Sequence, residues 1–388
     1  MPMFSDKCLN QIQSHHSVKF NRNTLSVLKL FHKDIHNVYH NLISNKFEIP
    51  YVREKLDPEG QEKMKRKLSV SKFLPRSIVT DVIKSSKYKY SYSLILDNKH
   101  IQIHFIDKSG YKKKMEKYVY FCCLWFMVIS KYTSRACPNQ LDVYIYLSGN
   151  KKILPKDRIP MTSEHINSAF TYGGCHLHNE IVVFRKEEWF KVLIHESIHA
   201  FGLDFSNIHL KKQIDEDLKS IFPLNIEMNA FEAYTEVWAN IWHSMLYAYL
   251  DTKSTFMGFI RSFKDVYLYE CYFSYYQMNK ILEYHNMTYY DLFMDSEDSI
   301  QKRKTYMEST NIFSYYILKT ILLQHINEFF AFCCQDFNII QFNMTSMRGK
   351  QFVDLIRQCY GAFPYPMKDT ITASEIKNTL RFTLFDIK

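Results

Sequence analysis

The sequence predicts an α+β fold, on three observations. Apolar residues recur at a period of two in several short runs between about residues 90 and 185. Beyond Asn225 the apolar period is helical almost throughout. Glycine and proline number only 9 and 10 in 388 residues, well below usual shares of about 7% and 5%, so long helices meet few breakers. With 46% apolar and 23% charged residues the chain is neither disordered nor of low complexity.

Residues 1–48 read as helical, with Leu25, Leu28, Phe31, Ile35 and Val38 at helical spacing, and Pro58 and Gly60 break the pattern across 50–60. Tyr90 to Leu96 and Ile101 to Ile106 form a strand pair that turns through Asp97-Asn98-Lys99. A helix follows over 112–132, then a strand over 141–147 bounded by Gly149 and Asn150. Two more strands cover 168–172 and 180–185, separated by the loop from Gly173 to Asn179. Lys186-Glu187-Glu188 opens the next helix, acids suiting its positive end, and Gly202 closes it. Later helices are expected over 228–250, 255–286, 311–335 and 348–360. The chain thus divides into a helical, basic region (1–80), a mixed central domain (81–250) and a mainly helical C-terminal subdomain (251–388).

Nine cysteines without a CxxC pair predict neither a disulfide framework nor a cysteine-ligated zinc site, and a reducing, cytoplasmic compartment fits that usage. The longest apolar run, Tyr118 to Ile129, is bracketed by Lys117 and Lys131 and falls short of the roughly 20 residues of a membrane span. The first 20 residues lack the apolar stretch of a secretory signal. Few glycines with abundant Tyr, Phe, Ile and Lys suit an AT-rich genome, such as that of a parasite or a large DNA virus; for a viral protein, association with the particle is a further expectation. The net charge of +10 is uneven, because residues 61–90 hold nine Lys/Arg against Glu62 and Asp81. That stretch is either a solvated helix face or a contact for nucleic acid or another polyanion.

The chemistry sits at His195-Glu196-Ser197-Ile198-His199, an HExxH sequence on a predicted helix. Histidines four apart share one helix face, so both imidazoles can hold one ion. Catalytic zinc takes three protein ligands and keeps one position open, and Glu196 can serve as general base on the water the metal activates. The metzincin pattern HExxHxxGxxH matches at Gly202 but meets Phe205 where a third ligand is needed, with Asp204 one place too early, and is rejected. Downstream, Glu232 and Glu236 stand four apart on a second predicted helix; one can bind the metal while the other supports a ligand imidazole. Asp204 either orients His195 or His199 or simply borders the helix end.

With these residues the stretch from about Tyr90 to Leu250, about 40% of the chain, resembles the zincin metallopeptidases of the gluzincin type, which pair HExxH with a glutamate on a following helix. The resemblance implies a zincin-like catalytic domain, a Zn2+ cofactor, and hydrolysis of peptide bonds in a protein or peptide substrate with Glu196 as general base. It maps the third ligand onto Glu232, beside His195 and His199, and the supporting carboxylate onto Glu236. It also implies that the strand over 168–172 is an exposed edge to which an extended peptide adds, the alternative being an interior strand. An oxyanion donor is implied as well, and Tyr315 and Tyr316 are the candidates among 28 tyrosines. A different class of function is a catalytically inactive protein of the same fold that docks on nucleic acid or a particle through residues 61–90. Cys175, His176 and His178 form either a structural loop or a second metal or thiolate site.

Overall fold

A six-stranded sheet separates two unequal hydrophobic layers. The computed structural model describes residues 17–44, 49–71, 73–134, 137–156, 159–205, 208–252, 255–361 and 376–387, with Leu9 and Phe363. The strands are β1 (Tyr51–Lys55), β2 (Tyr88–Leu96), β3 (Lys99–Asp107), β4 (Gln140–Tyr146), β5 (Ala169–Thr171) and β6 (His178–Val183), in the spatial order β1-β2-β3-β4-β6-β5. The first three are antiparallel, β3, β4 and β6 run parallel, and β5 closes the sheet antiparallel to β6. Asp97, at φ 51°, makes the expected turn between β2 and β3.

The helices are α1 (Arg22–Ser44), α2 (Pro58–Ser69), α3 (Arg76–Ser85), α4 (Lys112–Ile129), the single turn α5 (Ser163–Ile166), α6 (Trp189–Ala200) and α7 (Ile208–Lys219). They continue as α8 (Ala230–Thr252), α9 (Phe256–Tyr284), α10 (Glu297–Thr305), a π-helical stretch (Phe313–Leu318) running into α11 (Lys319–Gln324), α12 (Ile326–Cys333) and α13 (Ser346–Cys359). The fold is therefore α+β. Alternation assigns the sheet faces: Ile101, Ile103, Phe105, Leu141, Val143, Ile145, Ile181 and Val183 enter the large core, while Ile106, Tyr146, Val182 and Phe184 pack with Leu68, Ile78, Val79 and Val82 of α2 and α3 in a smaller one.

Several elements differ from expectation. Pro58 and Gly60 do not interrupt structure; Asp57 caps α2 by accepting from Gly60 N at 2.7 Å, and Pro58 occupies the first turn, where its missing N–H is not needed. The helix expected over 311–335 is three pieces, because the chain widens into a π turn and then breaks at His325, where φ is −120° and ψ is 53°. β1, α2, α3, α7 and α10 are further elements without an individually expected counterpart. The expectation of no disulfide is corrected: Cys137 and Cys175 are bonded across a sequence separation of 38, with Cα atoms 5.4 Å apart. They meet because Asn139 N and Gln140 N both donate to Leu177 O where β4 and β6 begin side by side. The other cysteines within the described residues are free, and Cys8 lies outside them.

Two remote segments support the site. In α1, Phe31 is fully buried against Trp242, 4.6 Å between ring centroids, and against Trp238 and Phe330. The C-terminal stretch 376–387 crosses the interior with one isolated bridge, Thr379 to Ile153, and side chains satisfy other parts of its backbone. Glu188 accepts from Phe382 N and Thr383 N, both at 2.6 Å, Glu270 accepts from Leu384 N at 3.0 Å, and Lys280 donates to Ile376 O at 2.7 Å. Phe31→Ala should cost about 3–5 kcal/mol, read as a shift in the urea unfolding midpoint; a cost below about 1 kcal/mol would mean that α1 unfolds apart from the α8 core.

Candidate metal centre

Helix α6 carries the HExxH residues, and all twelve of its side chains are buried. Its C-terminal end turns on Gly202, at φ +63°, with Gly202 N bonded to His199 O at 3.0 Å and Leu203 N to Ile198 O at 3.0 Å, the hydrogen-bond pair of a Schellman turn. A side chain at Gly202 would strain this conformation and lie 3.4 Å from Cys175 N. The reversal brings Asp204 back onto the helix, where Asp204 Oδ2 lies 2.6 Å from His199 Nδ1.

Helix α8 faces α6 and supplies the acids. His195 Nε2 and His199 Nε2 are 3.0 Å apart, and Glu232 Oε2 lies 3.2 Å from each. Three donor atoms at this spacing match three corners of a tetrahedron whose centre lies about 2 Å from each. They form a group able to hold a metal ion, with the three ligand atoms within 4.8 Å of one another. Glu236, one turn further along α8, places Oε2 2.7 Å from His195 Nδ1 and bonds the fully buried Lys191 through Oε1. Each imidazole therefore has a carboxylate behind it, Glu236 for His195 and Asp204 for His199, and both Nε2 atoms are turned toward Glu232.

The electrostatics call for a cation. Glu196, Asp204, Glu232 and Glu236 surround two imidazoles, while Lys191 is the ammonium in direct contact with the group among the described residues. Burial opposes ionisation of Glu232 and Glu236, yet His199 and His195 beside Glu232, and Lys191 and His195 beside Glu236, hold both carboxyls below the usual range. Burial likewise opposes charge on both imidazoles, and the carboxylates overcome it: Glu232 and Glu236 draw His195 toward its protonated form, and Asp204 and Glu232 draw His199. A divalent ion would replace those protons. Glu196, pushed up chiefly by burial, has no carboxylate role in this cage and lines the cleft instead.

That cleft has a volume of about 610 Å³ and is walled by β5 residues Ala169, Phe170 and Thr171, by Phe73, by Phe231 and by Tyr315. β5 is the last strand of the sheet among the described residues, and its residues line the cleft. Tyr315 and Tyr316 part company. The hydroxyl of Tyr315 donates to Glu232 Oε2 at 3.1 Å, whereas Tyr316, the other oxyanion candidate, is corrected to a buried packing residue whose hydroxyl donates to Leu380 O at 2.6 Å. Consecutive residues of a helical stretch point to different faces, and this one, π-helical over Phe313–Leu318, is tied to the residue before α8 by Ser314 Oγ donating to Asn229 O at 2.9 Å.

Sequence reasoning missed two residues. Lys191 stands four before His195, and this continuation of the histidine stripe was its one available signal. Asn311 Nδ2 donates to Glu232 Oε1 at 3.1 Å and is itself fixed by Asn229 at 2.7 Å, a placement without sequence signal. A second metal at Cys175, His176 and His178 is corrected as well: Cys175 is in the disulfide and His176 Nε2 lies 3.0 Å from Gly173 O. In the basic stretch Lys67 reaches Glu180 at 2.7 Å and lies 3.8 Å from the centre of the Tyr144 ring, Lys89 pairs with Glu54, Arg66 with Glu62 and Lys84 with Asp81, while Lys72 lies outside the described residues.

The chain is similar to the uncharacterized protein R210 of Acanthamoeba polyphaga mimivirus, 26% identical over 234 residues, which is 56% of this chain. The match spans 58% of that protein's length. No family profile and no solved structure matches the chain. Among the described residues, no helix is long and apolar enough to cross a membrane.

Because Glu232 Oε2 completes the triangle with the two Nε2 atoms and Glu236 does not, Glu232→Gln should weaken divalent-metal binding more than Glu236→Gln. Asp204→Asn should weaken it about 10–100-fold. Competition against a chromogenic chelator measures all three, and a larger loss from Glu236→Gln would exchange the two glutamate roles.

Proposed function

We propose that the protein is a zinc-dependent peptidase of the zincin type. The observation that carries this reading is the triangle of His195 Nε2, His199 Nε2 and Glu232 Oε2, 3.0–3.2 Å on each side, at a cleft also lined by Glu196 and by the last strand of the sheet, β5. Two imidazole nitrogens and one carboxylate oxygen favour zinc over magnesium or calcium, which take oxygen ligands. A zinc ion held there would lower the pKa of a water to about 7 and polarise a carbonyl.

The chain's own residues supply the remaining steps. Glu196 takes a proton from the attacking water and passes it to the departing amine. Tyr315 keeps its proton, because burial and then Glu232 raise its pKa, so its hydroxyl can turn from Glu232 to donate toward the carbonyl oxygen as negative charge develops. The backbone of β5 receives an extended peptide as an added strand and aligns one bond with Glu196. Glu236, Asp204 and Asn311 hold His195, His199 and Glu232 in position throughout.

The test combines elemental analysis with mass-spectrometric detection of cleavage in a proteome-derived peptide library. The wild type should hold about one zinc per chain and cleave, chelation should abolish cleavage, and zinc should restore it. Glu196→Gln should retain zinc while losing about 10²–10⁴ of the rate. Wild-type rates in that variant, or cleavage that survives metal removal, would reject the mechanism.

A further inference from the structure

Far from the cleft, a second pair of histidines stands four apart on a helix. His36 and His40 of α1 have ring centroids 4.2 Å apart and planes inclined by 57°, close to the 4.7 Å and 74° of His195 and His199. Both pairs have the same cause, since residues four apart lie one above the other on a helix face. Unlike the pair on α6, His40 is exposed and His36 only half-buried, so an ion from solvent reaches both rings without any opening of the fold.

His36 is also held as a ligand imidazole is held. Its Nδ1 lies 3.0 Å from the hydroxyl of Tyr249, a fully buried residue in the last turn of α8. Which ring nitrogen of a histidine takes a metal is set by the hydrogen bond that the other one makes. With Nδ1 engaged by Tyr249, Nε2 is the nitrogen left for an ion, just as Glu236 and Asp204 engage Nδ1 of His195 and His199.

The surroundings narrow the site to two protein ligands. His32 continues the stripe one turn earlier, its ring 5.7 Å from that of His36, but it is buried against Tyr249, Phe256 and Phe259. Asp34 is engaged by Lys131 and Tyr132, both at 2.6 Å. Among the described residues no third histidine, cysteine or carboxylate completes a group with the pair. Two imidazoles without a carboxylate suit a divalent transition ion rather than magnesium or calcium, which take oxygen ligands.

We infer that His36 and His40 form a second, exposed metal site for a divalent transition ion, that it binds Cu2+ most tightly, and that water fills the remaining positions. Two ligands in solvent grip an ion less firmly than three in a buried cage, so this site is the weaker of the two and empties first on dialysis. The inference goes beyond the peptidase reading and stands without it.

The test counts Cu2+ on the full, untagged chain. Wild type and His40→Ala are loaded with zinc and dialysed against a range of free Cu2+ concentrations, and their copper and zinc contents are measured together. Because the two proteins differ at one exposed residue, copper bound anywhere else, including any that displaces zinc, cancels in the comparison. Wild type should take up about one Cu2+ per chain more than His40→Ala, and His36→Ala should show the same deficit. Tyr249→Phe, which removes only the hydroxyl, should keep the ion but bind it about tenfold more weakly. Equal copper uptake by wild type and His40→Ala across the range would overturn the site, and an unchanged affinity in Tyr249→Phe would overturn the assignment of Nε2 as the ligand atom.

Discussion

Two facing helices bury opposite charges in alternation: Lys191, His195 and His199 on α6, each one turn apart, against Glu236 and Glu232 on α8. Everything else near the site depends on that contact. An isolated buried ion costs several kcal/mol even after the protein relaxes, so these side chains are tolerable only as a set, and the set fixes the rotation and height of one helix against the other. Shifting either helix by a turn would leave at least one charge without its counterpart. The same ladder leaves the two Nε2 atoms and Glu232 Oε2 as a triangle with a surplus of negative charge around it, which is the condition a divalent cation satisfies.

Both ends of α6 are anchored by remote parts of the chain. At its start Glu188, at φ 58°, accepts from Phe382 N and Thr383 N and is paired with the buried Lys152 at 2.6 Å. At its end the left-handed Gly202 packs against the disulfide-bonded loop at Cys175 and turns the chain so that Asp204 supports His199. The C-terminal stretch therefore has a double role in the geometry: its backbone satisfies the residue before α6, and its Phe382 forms a wall beside Glu196. Polar networks of this kind are costly when half-satisfied and rigid when complete.

Much of the sheet was legible in the chain itself. The β2–β3 pair, β4 and β6 alternate visibly because each shows one face to a deep core, and the hairpin announces itself through Asp97-Asn98. β1 escaped notice because it is an exposed edge strand, Tyr51–Lys55, with charged residues where a buried strand would have apolar ones. α2 was obscured because Pro58 and Gly60 look like breakers until Asp57 is seen to cap them. The helix over 311–335 looked continuous because apolar residues are dense there on all sides, and neither the π turn nor the break at His325 leaves a compositional trace.

At the site, the sequence by itself determined that His195 and His199 share a helix face with Glu196 between them, and that Glu232 and Glu236 share another, since a helix of fixed pitch leaves no other outcome. Gly202 as the helix stop belongs with these, being set by its own backbone freedom. Only the tertiary structure decided which glutamate meets the histidines, that Tyr315 rather than Tyr316 reaches Glu232, that Cys137 finds Cys175, and that Phe382 forms a wall beside Glu196. The physical reason is range. Helical spacing is a local property of a few consecutive residues, whereas these contacts depend on how helices are rotated and stacked across separations of 33 to 194 residues, and burial of complementary charge sets that arrangement.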